Sequence, residues 1–166
     1  MMRRFRRVSD DVVELRLPHA EKALLASMIP QLRTVVTGDT DVEHLRARLF
    51  PRAYDDPERE REFQALVGSD LVDQRVDAVD TALATLDGGR NRTRQWVTEL
   101  DEEQVQSWLS VLHDLRLVLA QIVGIESEAD WDRGPDTDAP AELVLWHVGT
   151  LQEELLAVLM GGLADT

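Results

Sequence analysis

Residues 101–124 read DEEQVQSWLSVLHDLRLVLAQIVG, and this stretch decides the fold. Asp101 with Gln104 three residues on forms a capping box, and Gly124 suits a closing position, so the spacing predicts a helix over 102–123. At about 100° per residue, Val105, Trp108, Leu109, Val111, Leu112, Leu115, Val118, Leu119, Ile122 and Val123 cover about half of its circumference. An apolar face that wide belongs to a central long helix with neighbours on several sides. Arg116 projects inside that arc, between Val123 and Leu109. An unpaired buried charge costs several kcal/mol, so Arg116 is expected to meet a carboxylate or helix-end carbonyls, with Glu153 and Glu154 as the candidate acids. Arg75 raises the same question, three residues after Val72 and four before Val79 on the seam of its own helix. One reading makes both arginines structural, as internal ion pairs or as stems covering apolar surface. The other makes them the lining of an anion or acidic-peptide site.

Outward from this helix, the N-terminal stretch alternates. Phe5-Arg6-Arg7-Val8 and Val12-Val13-Glu14-Leu15-Arg16-Leu17 flank a polar turn and predict a β-hairpin within residues 1–18. An isolated hairpin is marginal in water, so it should lie on helices or gain a further strand. Gln95-Trp96-Val97-Thr98-Glu99-Leu100 alternates as well and is read as a short third strand. Between them the period changes. Leu24, Leu25, Met28, Ile29, Leu32, Val35 and Val36 mark a helix from His19 to about Thr37, kinked by Pro30 and stopped at Gly38. Thr40-Asp41-Val42-Glu43 predicts a capped short helix through Leu49. Asp56 as N-cap and Pro57 at the first helical position predict a charged helix through Leu66. Gly68 is expected to break it, and Ser69 to cap the next, which carries Leu71, Val72, Val76, Val79, Leu83 and Leu86 to the Gly88-Gly89 exit. Residues 90–94 read as a basic loop and 125–140 as a mobile acidic loop. A last helix runs from Ala141 to Met160. The fold class is therefore mainly α: a single helical-bundle domain, 19–160, with the hairpin attached.

Composition restricts the chemistry. The chain has 166 residues, 18 basic against 32 acidic, and a net charge of −14. It has no cysteine, which removes disulfides, thiolate zinc sites, cysteine nucleophiles and thiol redox switches. Uninterrupted apolar runs are only a few residues long, and no signal-peptide stretch follows the start, so a cytoplasmic protein without membrane partners is expected. Arg3, Arg4, Arg6 and Arg7 crowd the first seven residues. Without them, 14 basic and 32 acidic groups leave −18, a charge that repels phosphate backbones and makes nucleic acid an unlikely partner. The arginine cluster is the one candidate nucleic-acid arm; otherwise it is a solvated edge strand.

Catalytic constellations are missing from the pattern. The residues three before His19, His44, His113 and His147 are Arg16, Asp41, Ser110 and Val144, so the Glu-x-x-His of di-metal bundles fails at each. No His-x-x-x-His pair, glycine-rich phosphate loop or nucleophile elbow occurs. No catalytic residue, metal or cofactor is therefore assigned. Only Arg46 and Arg48 lend a short helix the basic character of a helix-turn-helix reader.

Three stretches carry a resemblance: residues 49–56 (LFPRAYDD), 109–119 (LSVLHDLRLVL) and 145–155 (LWHVGTLQEEL). Together they resemble an actinobacterial family catalogued as domain of unknown function 2017, over roughly residues 3–160. The Asp114-Leu115-Arg116-Leu117 segment is the most specific, although His113 stands where the family usually reads Asn. The resemblance implies no established enzymatic activity, and an intracellular regulatory or adaptor role. The expectation is a non-catalytic domain that binds another protein, or a second copy of itself as a homodimer. Trp146, Leu145 and Trp131, off the core stripes, are its candidate interface. The alternative is a transcription-linked stress regulator using Arg3, Arg4, Arg6 and Arg7 on nucleic acid.

Overall fold

Alternation at the N-terminus produces two strands, β1 (Phe5–Ser9) and β2 (Val12–Pro18), in the computed structural model, which describes residues 3–38, 42–125, 127–134 and 138–164. They pair antiparallel, Phe5 opposite Leu15, with a register shift between Arg7 and Ser9. The expected third strand forms over Gln95–Leu100 and pairs with β2, Leu17 opposite Trp96 and Val13 opposite Leu100. The segment read as a basic loop contains one more, Arg90–Asn91, whose two residues pair with Val97 and Trp96. In chain order these are β3 and β4, and the sheet runs β1-β2-β4-β3, antiparallel throughout. Period-two placement buries Val13, Leu15 and Leu17 on the inner face.

Gly89 closes the turn into β3 with φ +78°. A Cβ there would lie 2.6 Å from the Val97 carbonyl oxygen and 2.9 Å from the Trp96 ring, whose Nε1 donates to the Gly88 carbonyl at 2.9 Å. Gly89→Ala should therefore destabilise the protein by at least about 1–3 kcal/mol from backbone strain alone. Urea unfolding measures the loss, and an unchanged midpoint would contradict this turn.

The helices are α1 (His19–Thr37), α2 (Glu43–Leu49), α3 (Pro57–Asp87), α4 (Glu102–Val123), α5 (Glu128–Asp132) and α6 (Pro140–Ala164). The chain is mainly α with a small antiparallel sheet. α4 is capped as its sequence predicts: the Asp101 side chain accepts from the Gln104 N–H, and the Gln104 side chain accepts from the Asp101 N–H. Gly124 ends it at φ +80°. α4 packs against α1, α2, α3, α6 and the strands β2 and β4, so it is enclosed. It is not the longest helix, because α3 runs 31 residues.

That length corrects the expected break at Gly68. A glycine inside a helix costs about 1 kcal/mol relative to alanine, which packing of Val79, Ala82 and Leu86 in the same helix outweighs. Asp56 caps α3 as expected, accepting from the Glu58 N–H. Glu60 then turns back and accepts from the Ala53 and Tyr54 N–H groups and from Gln64, pinning the preceding loop. The Gln64 hydrogen bond, with those backbone bonds behind it, holds the Glu60 carboxyl below the usual range against the opposing effect of burial. α1 carries its helical assignment through Pro30, which is exposed. The Thr40-Asp41 half of the capping box lies outside the described residues, and α2 begins at Glu43.

The stretch expected as a loop, 125–140, contains α5, held by a reciprocal Ser127–Asp130 capping box. Its residues 126 and 135–137 lie outside those described. Within α6, Pro140–Gly161 is apolar and long enough to cross a membrane by length and composition, with mean hydropathy 1.3. The short-run reading did not register this. Its Leu145, Val148, Leu151 and Leu155 belong to the third of this span that is buried inside the protein.

Candidate functional site

Arg116 leaves α4 toward α6, as its position in the apolar arc dictates, but its partners differ from those expected. It is half-buried, and its Nη1 donates to the Gln152 side-chain oxygen at 3.2 Å. The Trp131 ring of α5 covers one face of the guanidinium, with Cζ 4.8 Å from the ring centroid. Among the described residues Arg116 forms no ion pair. Helical phase explains the correction. Gln152 lies four residues after Val148 and three before Leu155 on the buried stripe of α6, whereas Glu153 is turned about 100° away and exposed. Glu154 points to the sheet, where its carboxylate accepts the N–H groups of Arg4 and Phe5.

Beside the guanidinium is a cavity of about 380 Å³, open to solvent. Arg48, His113, Arg116, Ser127, Glu128 and Gln152 supply its polar lining. Leu117, Ala120, Ile125 and Trp131 supply the apolar part. The Gln152 amide also meets His113 Nδ1 at 3.5 Å. Since its oxygen faces Arg116, its NH₂ faces the imidazole. Sequence reasoning missed Gln152, although a lone amide on an apolar helical stripe was a usable signal. Arg48, read only as a weak basic feature, lies in the lining, and His113 is exposed at the same rim.

Arg75 is not in this cavity. Its Nη1 forms an ion pair with Asp114 on the neighbouring face of α4. The Asp114 side chain is 2% exposed and the Arg75 side chain 29%. Burial pushes the Asp114 carboxyl up, and Arg75 opposes that shift. Arg75 and Arg46 both lie over the Phe50 ring, at 6.0 and 5.1 Å, which fixes the residue after α2. Arg75 is therefore structural, and the four candidate residues Arg116, Arg75, Glu153 and Glu154 do not form one site.

The expected protein interface is corrected in the same way. Leu145 is fully buried in a second small core with Ala120 and Ile125, against which Trp131 packs. Trp146 is half-buried and meets Trp131 edge-on at 5.1 Å. Leu145 cannot reach a partner, and Trp131 and Trp146 hold α5 onto α6 while keeping part of their surface exposed. Leu145 sits off the main stripe of α6 because it serves this second core.

At the other end, Arg6 and Arg7 belong to the paired strand β1, and Arg3 and Arg4 precede it. Arg4 forms an ion pair with Glu21 at 2.6 Å, and Arg6 one with Glu14 at 3.4 Å. Arg7 donates to the carbonyls of Ser9 and Asp10 at 3.3 and 2.9 Å. Arg3 is exposed. No group of His, Asp and Glu among the described residues could hold a metal ion. A family described as Domain of unknown function (DUF2017) matches residues 2–159. No curated protein and no solved structure matches.

Proposed function

The chain belongs to the DUF2017 family, and from that premise we propose that it is a non-catalytic cytoplasmic binding or regulatory domain, one helical bundle around α4. Its recognition site is the Arg116 cavity, which takes an anionic group on a partner protein. The observation that carries this reading is a half-buried guanidinium, oriented by Gln152 and Trp131, with no ion pair among the described residues and a 380 Å³ space beside it. Of the two structural forms expected for an arginine here, Arg75 takes the ion-paired one and Arg116 does not. The alternative, a basic arm on nucleic acid, has less support because Arg4, Arg6 and Arg7 are engaged within the protein itself.

Arg116→Met tests the reading, since methionine keeps the stem and removes the donor. The variant should melt within a few degrees of the parent and lose at least tenfold in affinity for a partner captured from the host by the parent chain. A partner retained equally by a folded Arg116→Met variant would overturn the proposal.

A further inference from the structure

Resting on that binding role, we infer that the Arg116 cavity takes a carboxylate carried on an apolar body, in preference to a phosphate group. Three features of the cavity lead there. The first is the direction of approach. Trp131 closes one face of the guanidinium and Gln152 occupies part of Nη1, so the remaining N–H donors lie in the guanidinium plane. An acceptor must then arrive edge-on, and a carboxylate or a phosphate can meet such a fork with two parallel hydrogen bonds, so this feature sets the approach and the next two set the choice.

The second is charge. Arg48 and Arg116 stand against Glu128 as the formal charges of the lining. The wall therefore carries one net positive charge, which a monoanion balances. A phosphate ester carries about −1.5 to −2 near neutral pH, and would leave excess negative charge beside Glu128 in a protein of net charge −14. The third is space. A carboxylate fills only a small part of 380 Å³, and Leu117, Ala120 and Ile125 offer the rest to an apolar group. Two sources share this chemistry: a free organic acid, and the C-terminal residue of a polypeptide with an apolar side chain.

Calorimetry on the full chain at pH 7.5 separates the outcomes. The probes are benzoate, phenyl phosphate, N-acetyl-leucine, its amide, and a hexapeptide ending in a free leucine carboxylate. Benzoate should bind more tightly than phenyl phosphate, and N-acetyl-leucine at least tenfold more tightly than its amide. Arg116→Met should abolish both, and Arg116→Lys, which keeps the charge without the fork, should weaken N-acetyl-leucine at least fivefold. A hexapeptide tenfold tighter than N-acetyl-leucine supports the inference with a polypeptide terminus as source, and equal affinities support it with a free acid. Phenyl phosphate binding more tightly than benzoate overturns the carboxylate preference and leaves the anion-binding role standing. No binding by any probe, with partner capture still dependent on Arg116, overturns the carboxylate inference alone. No probe binding and no such dependence removes both.

Discussion

Arg75→Met should cost the fold about 3–5 kcal/mol near neutral pH, the usual penalty for stripping one member from a buried ion pair. Methionine keeps the packing of the stem, so the loss isolates the charge. What remains is the Asp114 carboxylate, 2% exposed and without its cation. Burial already pushes that carboxyl upward, and Arg75 is the main group pulling it down. Without Arg75 the folded state binds a proton more readily than the unfolded chain does. The stability tied to that proton is fully present below the unfolded value of about 4 and is lost as pH rises through the raised folded value. The deficit should therefore be largest at pH 7.5 and shrink on approach to pH 5. Urea unfolding of parent and variant at the two pH values reads it directly. A deficit independent of pH would contradict a buried, ionised Asp114.

Trp108→Ala should be comparably severe, at about 3–5 kcal/mol. Trp108 is fully buried where α3 meets α4, and its Nε1 donates to the Thr85 hydroxyl at 2.8 Å. Thr85 in turn donates to the Ala82 carbonyl at 2.7 Å, so the hydroxyl is held between the two helices. Truncation leaves a cavity that neighbouring α-helical backbone cannot collapse to fill. Against a total stability of about 5–15 kcal/mol for a domain, the variant should sit near the edge of unfolding at 37 °C. Trp108→Phe retains most of the volume and should cost about 1–2 kcal/mol, from the lost hydrogen bond and a small void. Equal losses for the two variants would mean that ring volume is not what stabilises this contact.

Local chemistry was legible in the sequence wherever it is decided within a few residues. The Asp101–Gln104 box, the Asp56-Pro57 start and the period-two strand at 95–100 all form as their residues suggest. Gly68 misled because a backbone propensity of about 1 kcal/mol yields to tertiary packing that no short window reveals. α5 was obscured by the polar composition around it, although Ser127 and Asp130 carried the capping signal. The site was half legible. The position of Arg116 on the apolar arc pointed to an unusual guanidinium, but its partner depended on the rotation of α6, and one helical step separates Gln152 from Glu153. Trp131 could not be assigned at all without knowing that α5 folds over α4 and α6.

The Glu154 carboxylate that accepts the N–H groups of Arg4 and Phe5 joins residues 150 positions apart. During synthesis, β1 leaves the ribosome early while the group that satisfies these amides is still about 150 codons away. At roughly 5–20 residues per second, that interval lasts from several seconds to half a minute. For that time the Arg4 and Phe5 N–H groups wait for an acceptor that arrives only with α6.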